Sequence, residues 1–274
     1  MQKIGTVLKG FMKDKIKVLR TEHCKECGKD FNIIAYLNNN KETMFVAETC
    51  PYCEKEKEEE QLRREAIESR IRARISKAKR YSVIPYELEK VTFDDYKPEN
   101  ESQQTAYELS IKFAKGELDK TTLFFQGDTG LGKSHLSYCI HQKFINDKKP
   151  SIFIDLPSLL SEIRSTYSNG NDWRKRTQED IMNAIKEVEL LVLDDIGAEY
   201  VKPDANGYES WAADILFQIA NSRQGKKNVY TTNFTSKLLT LKYGMMSKRI
   251  ISRLMNNAKV IKIEGTDHRL KGLE

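Results

Sequence analysis

The sequence predicts an α/β fold: a mostly parallel sheet of five strands flanked by helices, with a small metal-binding domain ahead of it. Three observations carry this prediction. Short apolar runs alternate with helical periodicity from about residue 100 onward, the pattern of a parallel sheet covered on both faces. One of those runs, Thr122-Leu123-Phe124-Phe125-Gln126, opens directly into G-D-T-G-L-G-K-S at residues 127–134. Two C-x-x-C pairs, Cys24/Cys27 and Cys50/Cys53, precede all of this.

Residues 1–20 read as a helix with Ile4, Val7, Leu8, Phe11, Ile16 and Leu19 on one side. Between the cysteine pairs, Ile33-Ile34-Ala35-Tyr36 and Met44-Phe45-Val46 flank the turn-like Asn38-Asn39-Asn40, which predicts short strands. From Glu54 to Lys79 the chain is charged and sparse in apolar residues, with Leu62, Ala66, Ile67 and Ile71 widely spaced. Acids precede bases along it, which suits the helix dipole and i,i+4 pairing. We expect a connecting helix there and a boundary near Tyr81 to Pro85. The segments are then a zinc-binding domain over 1–56, a charged helical linker over 57–84 and a nucleotide-binding domain over 85–274. Strands are expected near 122–126, 151–155, 189–194, 227–232 and 259–263. Helices are expected near 102–115, 133–147, 157–168, 177–188, 208–224, 236–243 and 245–256. The loop Asn169-Gly170-Asn171-Asp172 is the best candidate for a mobile tip.

The segment G-D-T-G-L-G-K-S matches G-x-x-x-x-G-K-[ST], a phosphate loop, and it follows a strand pattern as that motif requires. Backbone N–H groups of Gly127, Asp128, Thr129, Gly130, Leu131, Gly132 and the first turn of the next helix, with His135 beside them, can cradle the phosphates of ATP. Lys133 would reach the β- and γ-phosphates and Ser134 would place its hydroxyl on Mg²⁺. The apolar strand Leu190-Leu191-Val192-Leu193 ends in Asp194-Asp195, a Walker B pattern. Asp194 would hold the Mg²⁺ shell and Asp195 would polarise the attacking water. The next strand, Asn228-Val229-Tyr230, ends in Thr231-Thr232-Asn233. A polar residue there would lie beside the γ-phosphate; Asn233 is the first choice and Thr232 the second. Arg249 and Arg253 lie four apart on one helix face. Spacing alone leaves two readings open, exposed basic residues or an arginine donated to a neighbour's γ-phosphate.

Composition limits the remaining possibilities. Charged residues make up 31% and hydrophobic residues 39% of 274, which suits a soluble globular protein. No apolar run approaches the ~20 residues of a membrane span, and Met1 to Arg20 lacks the apolar centre of a signal peptide. We therefore expect a cytoplasmic location and no membrane partner. Residues 1–80 carry 19 Lys/Arg against 13 Asp/Glu, and residues 81–274 carry 27 against 27, so the net +6 lies entirely in the first segment. That hints at an acidic or nucleic-acid partner. In a cytosolic protein, thiols at C-x-x-C spacing read as a metal site rather than disulfides. Cys24, Cys27, Cys50 and Cys53 form a candidate closed, structural Zn²⁺ site. His23 adjoins it and reads either as a substitute ligand or as an exposed histidine, and Cys139 reads as a small core residue. Trp173-Arg174-Lys175-Arg176 combines an aromatic with three cations, either a stacking and phosphate contact for single-stranded DNA or a solvated basic loop.

Taken in order, V-T-F-D-D-Y, G-D-T-G-L-G-K-S-H-L, L-V-L-D-D-I-G-A-E, T-T-N, R-I-I-S-R-L and D-H-R cover residues 91–269. The set resembles the DnaC/DnaI-type replicative helicase loaders of the AAA+ class. The resemblance implies an AAA+ core, with Asn233 as sensor 1, Arg253 as arginine finger, Arg249 as its neighbour and Arg269 as sensor 2. DnaC-like members tend to carry Asp-Glu in Walker B, whereas this chain has Asp-Asp. The acidic pair and the cysteine module bring it closer to the DnaI side. The resemblance also implies an ATPase that self-associates through its AAA+ domain. Its amino-terminal domain would bind a hexameric replicative DNA helicase and assist its placement on single-stranded DNA. Two alternatives stand beside it. A transposition-helper ATPase of the IstB type has similar core motifs but lacks the double C-x-x-C module. A non-hydrolysing, ATP-switched adaptor or inhibitor of a helicase would use the same motifs.

Overall fold

The computed structural model describes residues 16–38, 40–167, 176–200 and 211–268. The chain divides into two compact units, residues 1–70 and 71–274. The first contains an antiparallel sheet of β1 (Ile16–His23), β2 (Asp30–Leu37) and β3 (Thr43–Ala47) in that order. Alternation along β2 buries Phe31, Ile33 and Ala35 on one face, where Phe31 and Ile33 pack with the cysteines. Residues 16–20 correct the helix expected over 1–20: they are strand, paired Ile16↔Tyr36, Lys17↔Ala35 and Val18↔Ile34. Cross-strand hydrogen bonding there overrides a helical spacing of apolar residues whose last members, Ile16 and Leu19, stay exposed. The rest of that expected helix, residues 1–15, lies outside the described residues, as do the tip at 169–172 and the start of the helix expected from 208.

The charged stretch forms a single helix, α1 (Pro51–Lys79), with proline at its first position, where its missing N–H costs nothing. Glu54 lies in its first turn and Lys77 and Lys79 in its last, matching the dipole. Lys55–Glu59 and Glu60–Arg64 are i,i+4 pairs along its exposed length.

The second unit is built on five parallel strands: β4 (Thr122–Gln126), β5 (Ser151–Asp155), β6 (Leu190–Asp194), β7 (Lys227–Thr232) and β8 (Ala258–Lys262). Their order is β5-β6-β7-β4-β8. The strands fall within one residue of the positions read from the sequence. Helices α2 (Glu101–Lys115) and α3 (Lys133–Asn146) cover one face. There, Phe113, Leu136 and Ile140 pack against Leu123, Phe125, Phe153, Val192 and Val229. The other face takes α4 (Leu156–Tyr167), α5 (Gln178–Glu187), α6 (Trp211–Ser222), α7 (Ser236–Tyr243) and α8 (Ser247–Leu254) against Phe124, Ile152, Ile154, Leu191, Leu193 and Tyr230. Residues alternate between the two cores, and both are apolar, so the strand sequences are continuously hydrophobic. The helix expected over 245–256 is shorter, because a 3-10 turn at Gly244–Met246 separates α7 from α8.

One polar group lies deep in the scaffold. Arg223 is fully buried and caps the amino ends of the strands. Its guanidinium donates to Asn228 Oδ1 at 2.9 Å and to the carbonyls of Val188 and Lys227 at 2.6 Å each. Burial pulls its pKa down to about 10, and it stays charged. Removing it orphans several buried carbonyls. Arg223→Met is therefore expected to lower stability by about 3–5 kcal/mol, measured as a fall in urea midpoint with the slope unchanged.

Candidate active site

The parallel sheet brings the carboxyl ends of β4, β6 and β7 to one edge, where open α/β sheets bind ligands. The phosphate loop follows β4. Gly127, Gly130 and Gly132 have φ of 157°, 75° and 79°, and each is crowded. A Cβ at Gly127 would stand 2.3 Å from the Ile263 carbonyl oxygen, at Gly130 1.6 Å from Asp267 Oδ1, and at Gly132 2.4 Å from the Tyr96 ring. The loop is therefore walled by the chain after β8 and by Tyr96, whose hydroxyl donates to the Leu131 carbonyl at 3.3 Å. The His268 N–H donates to the Gly130 carbonyl at 3.2 Å. Lys133 opens α3 and is buried. Its ammonium lies across the loop, donating to the carbonyls of Gly127 at 2.9 Å and Asp128 at 2.6 Å. Asp128 and Thr129 form the exposed crest. His135 Nε2 lies 2.8 Å from the Thr92 carbonyl, with its ring edge-on to Tyr96.

The acidic pair ends β6. Asp194 is buried and accepts a hydrogen bond from the Thr231 hydroxyl. The same hydroxyl accepts the Asp195 N–H at 2.8 Å. Thr231 was not singled out in the sequence, where Thr232 and Asn233 were; the signal available was its place one strand over, level with the acids. Thr232 instead donates to the Ile196 carbonyl. Asp195 sits at φ 52°, a left-handed conformation that costs about 1 kcal/mol outside glycine. Asn233 Nδ2 lies 3.5 Å from Asp195 Oδ1. A cleft of about 250 Å³ is lined by residues 129–135 together with Asp195, Asn233, Leu88, Val91 and His268.

Burial pushes the Asp194 carboxyl up to about 6, and the Asp195 charge adds to this. Hydrogen bonds from Thr231 and Ser134 and the Lys133 charge oppose it. Ser134 thus lies close to Asp194, and the two offer oxygens of the hard type that Mg²⁺ takes. Arg249 stacks over Phe217 at 4.6 Å. Arg253 is exposed on α8, outside the residues lining the cleft. Arg269 and Trp173, Arg174 and Lys175 lie outside the described residues. Arg176 is held by the Arg80 carbonyl, Glu162 and the Tyr81 ring.

The four cysteines form a second centre. Cys24 and Cys27 sit in the turn after β1, and Cys50 and Cys53 at the start of α1. Their sulfurs all lie within 4.8 Å of one another, with Cys24–Cys53 at 3.5 Å and Cys27–Cys50 at 3.7 Å. Thiolates around tetrahedral zinc at ~2.3 Å stand about 3.8 Å apart, so this set fits Zn²⁺. The Cys27 amide, aimed at the Cys24 sulfur, is the largest influence drawing that thiol down to about 6. His23 pairs with Asp30 at 2.8 Å and does not join the cluster. Cys139 is buried and its thiol is pushed up to about 12 by that burial.

The family model of the IstB-like ATP binding protein matches residues 42–273. The chain belongs to this family. The chain is also similar to the replicative helicase loader DnaC of Buchnera aphidicola (strain APS). The two are 27% identical over 189 residues, 67% of this chain and 72% of that one. It is 25% identical to the Escherichia coli K12 loader DnaC over 165 residues, 60% of this chain and 62% of the relative. Among solved structures, DnaI superposes with a TM-score of 0.54 at 21% identity, covering 69% of this chain and 95% of that one. The DnaC helicase loader superposes with the same score at 20% identity, covering 66% and 100%. The family match establishes an ATP-binding protein, and the superpositions show that its core shares the fold of these AAA+ structures. Among the described residues, no helix is long and apolar enough to cross a membrane.

Two outcomes follow from the site. An unfolded aspartate titrates near 4, so folding favours the protonated form of Asp194. This contribution to stability is complete below about pH 4 and is lost as pH rises through about 6. Asp194→Asn, which cannot ionise, is expected to stabilise the nucleotide-free protein at pH 7 by about 2–3 kcal/mol, with the gain vanishing in urea titrations near pH 4. At the cysteines, elemental analysis is expected to find about one zinc per chain in the wild type and none in Cys50→Ser. The loss should expose residues 16–53 to limited proteolysis while leaving the second unit intact.

Proposed function

We propose that this protein is an ATP-dependent loader of a hexameric replicative DNA helicase. The observation that carries the reading is the meeting of phosphate loop, Asp195 and Asn233 in one cleft at the sheet edge, with Asp194 buried behind them. The chain's similarity to DnaC supports a helicase as the partner. The loop N–H groups and Lys133 bind the β- and γ-phosphates. Ser134 and Asp194 would hold Mg²⁺, which would neutralise charge developing on the γ-phosphoryl group. Asp195 takes the proton side of the attacking water and orients it, and Asn233 steadies the Asp195 carboxylate. A carboxylate one methylene shorter than glutamate must reach that water from the backbone itself. The left-handed turn at Asp195 provides a distinct approach for it.

Exposed Arg253 is placed to enter a neighbour's site when copies associate through the AAA+ domain, and Arg269 serves its own site as sensor 2. The AAA+ domain occupies 85–274, joined by a linker over 57–84 to a zinc-stiffened helicase-binding domain over 1–56. Hydrolysis is weak until partner or DNA completes the site, and single-stranded DNA is the track on which the helicase is placed. Such a role is cytoplasmic.

Lys133→Ala is expected to weaken ATP binding at least about 100-fold and to abolish helicase loading, with the fold unchanged by circular dichroism. An unaltered hydrolysis rate and loading in this variant would overturn the site assignment. Capture from host lysate by the full chain should retain a hexameric helicase, and the chain lacking residues 1–80 should not. Retention of a transposase instead establishes the transposition-helper reading. Helicase capture with no hydrolysis under any condition establishes the adaptor.

A further inference from the structure

Three buried polar atoms have no hydrogen-bond partner among the described residues: Glu199 Oε1, the Tyr243 hydroxyl and Asn233 Oδ1. All three lie in or beside one turn, residues 195–199. That turn begins at Asp195 with φ 52° and passes through Gly197 at φ 100°. Gly197 packs so closely on Phe234 and Leu239 that a Cβ would approach the Phe234 ring to 2.6 Å. Glu199 is 3% exposed. Its Oε2 accepts the Gly197 N–H at 2.9 Å, and the turn closes through the Ala198 N–H to the Asp195 carbonyl at 3.0 Å. From α7, Lys242 donates to the main-chain carbonyl of Glu199 at 2.5 Å.

We propose that Glu199 is a positioning residue for hydrolysis, holding the Asp195 turn against α7 so that the Asp195 carboxylate stays set beside Asn233. The proposal rests on the reading of Asp195 as the group that orients water. A carboxylate this deep, with one hydrogen bond and one bare oxygen, is a costly way to close a turn. A neutral amide would accept the Gly197 N–H equally well. What the side chain adds beyond that bond is a second neighbour. The carboxylate faces the Tyr243 hydroxyl at the last residue of α7, and its charge, after burial, raises the Tyr243 pKa. Turn and helix are thereby tied by the Lys242–carbonyl bond, with the Glu199 carboxylate close enough to Tyr243 to act on its hydroxyl. Because α7 leads through Gly244–Met246 into the helix that carries Arg249 and Arg253, a shift of that helical pair reaches Asp195 through Glu199. Glu199 itself does not line the cleft, so it acts through Asp195 rather than on phosphate or water.

The test compares Glu199→Ala and Glu199→Gln in the full chain, by steady-state ATP hydrolysis, nucleotide binding and amide hydrogen exchange. Glu199→Ala is expected to lower kcat about tenfold or more, with KM and nucleotide affinity within about twofold. Exchange at the 195–199 amides should rise about tenfold in the same variant. Glu199→Gln, which keeps the acceptor for Gly197, should recover slow exchange and most of kcat. Wild-type kcat and exchange in Glu199→Ala would overturn the proposal. So would parallel loss of kcat, affinity and melting temperature with no recovery in Glu199→Gln, which marks a merely structural residue. If the wild type does not hydrolyse ATP under any condition, the ATPase reading fails on its own, and the exchange comparison still decides whether Glu199 sets the Asp195 turn.

Discussion

One hydroxyl holds the chemistry of this molecule in place. Thr231 donates to the Asp194 carboxylate and accepts the Asp195 N–H, so a single side chain on β7 fixes both acids at the end of β6. The parallel pairing of these strands makes this possible: Leu193 stands opposite Tyr230, so the next residues along bring acid and hydroxyl level. A register slip of one residue would turn Thr231 to the other face, and the acids would lose their anchor. The continuous hydrophobicity of β6 and β7 is thus more than core filling. It locks the register on which the acid geometry depends.

The site trades stability for chemistry. A carboxyl held at about 6 by burial beside a second acid in a left-handed turn is a poor choice for a resting fold and a good one for a site that receives a cation. The scaffold around it is conservative by contrast. Strand residues such as Leu123, Phe125, Leu191 and Val192 are fully buried, and strained backbone is confined to turns. Other non-glycine residues with positive φ, Lys41, Lys148 and Asn257, lie in turns away from the acids, and strain at a functional position such as Asp195 is common in enzymes.

Much of this was legible in the sequence because the informative residues are close together in it. The phosphate loop, acidic pair and cysteine pairs are each local strings, and their strands have apolar runs bounded by punctuation. What was not legible depends on tertiary neighbours. Thr231 differs from Thr232 only in which way the strand turns it. Tyr96 and Asp267 wall the loop from roughly 30 residues before it and roughly 130 after it, with no motif to mark them. Glu199 lay inside D-D-I-G-A-E in plain view, yet its burial beside Tyr243 is a property of packing. The first residues of β1 were misread for a related reason: an apolar spacing compatible with a helix was claimed by an adjacent strand.

The crowding of the three loop glycines also bears on how the molecule comes into being. Their neighbours are Tyr96 on one side and Ile263 and Asp267 on the other. A growing chain acquires G-D-T-G-L-G-K-S some 130 residues before the far wall of that loop arrives, with β8 inserted beside β4. Nucleotide capture must therefore await closure of a long-range contact, which is the slow class of folding event. Emergence of the binding loop and competence to bind are separated in time, and the last strand sets the moment at which they meet.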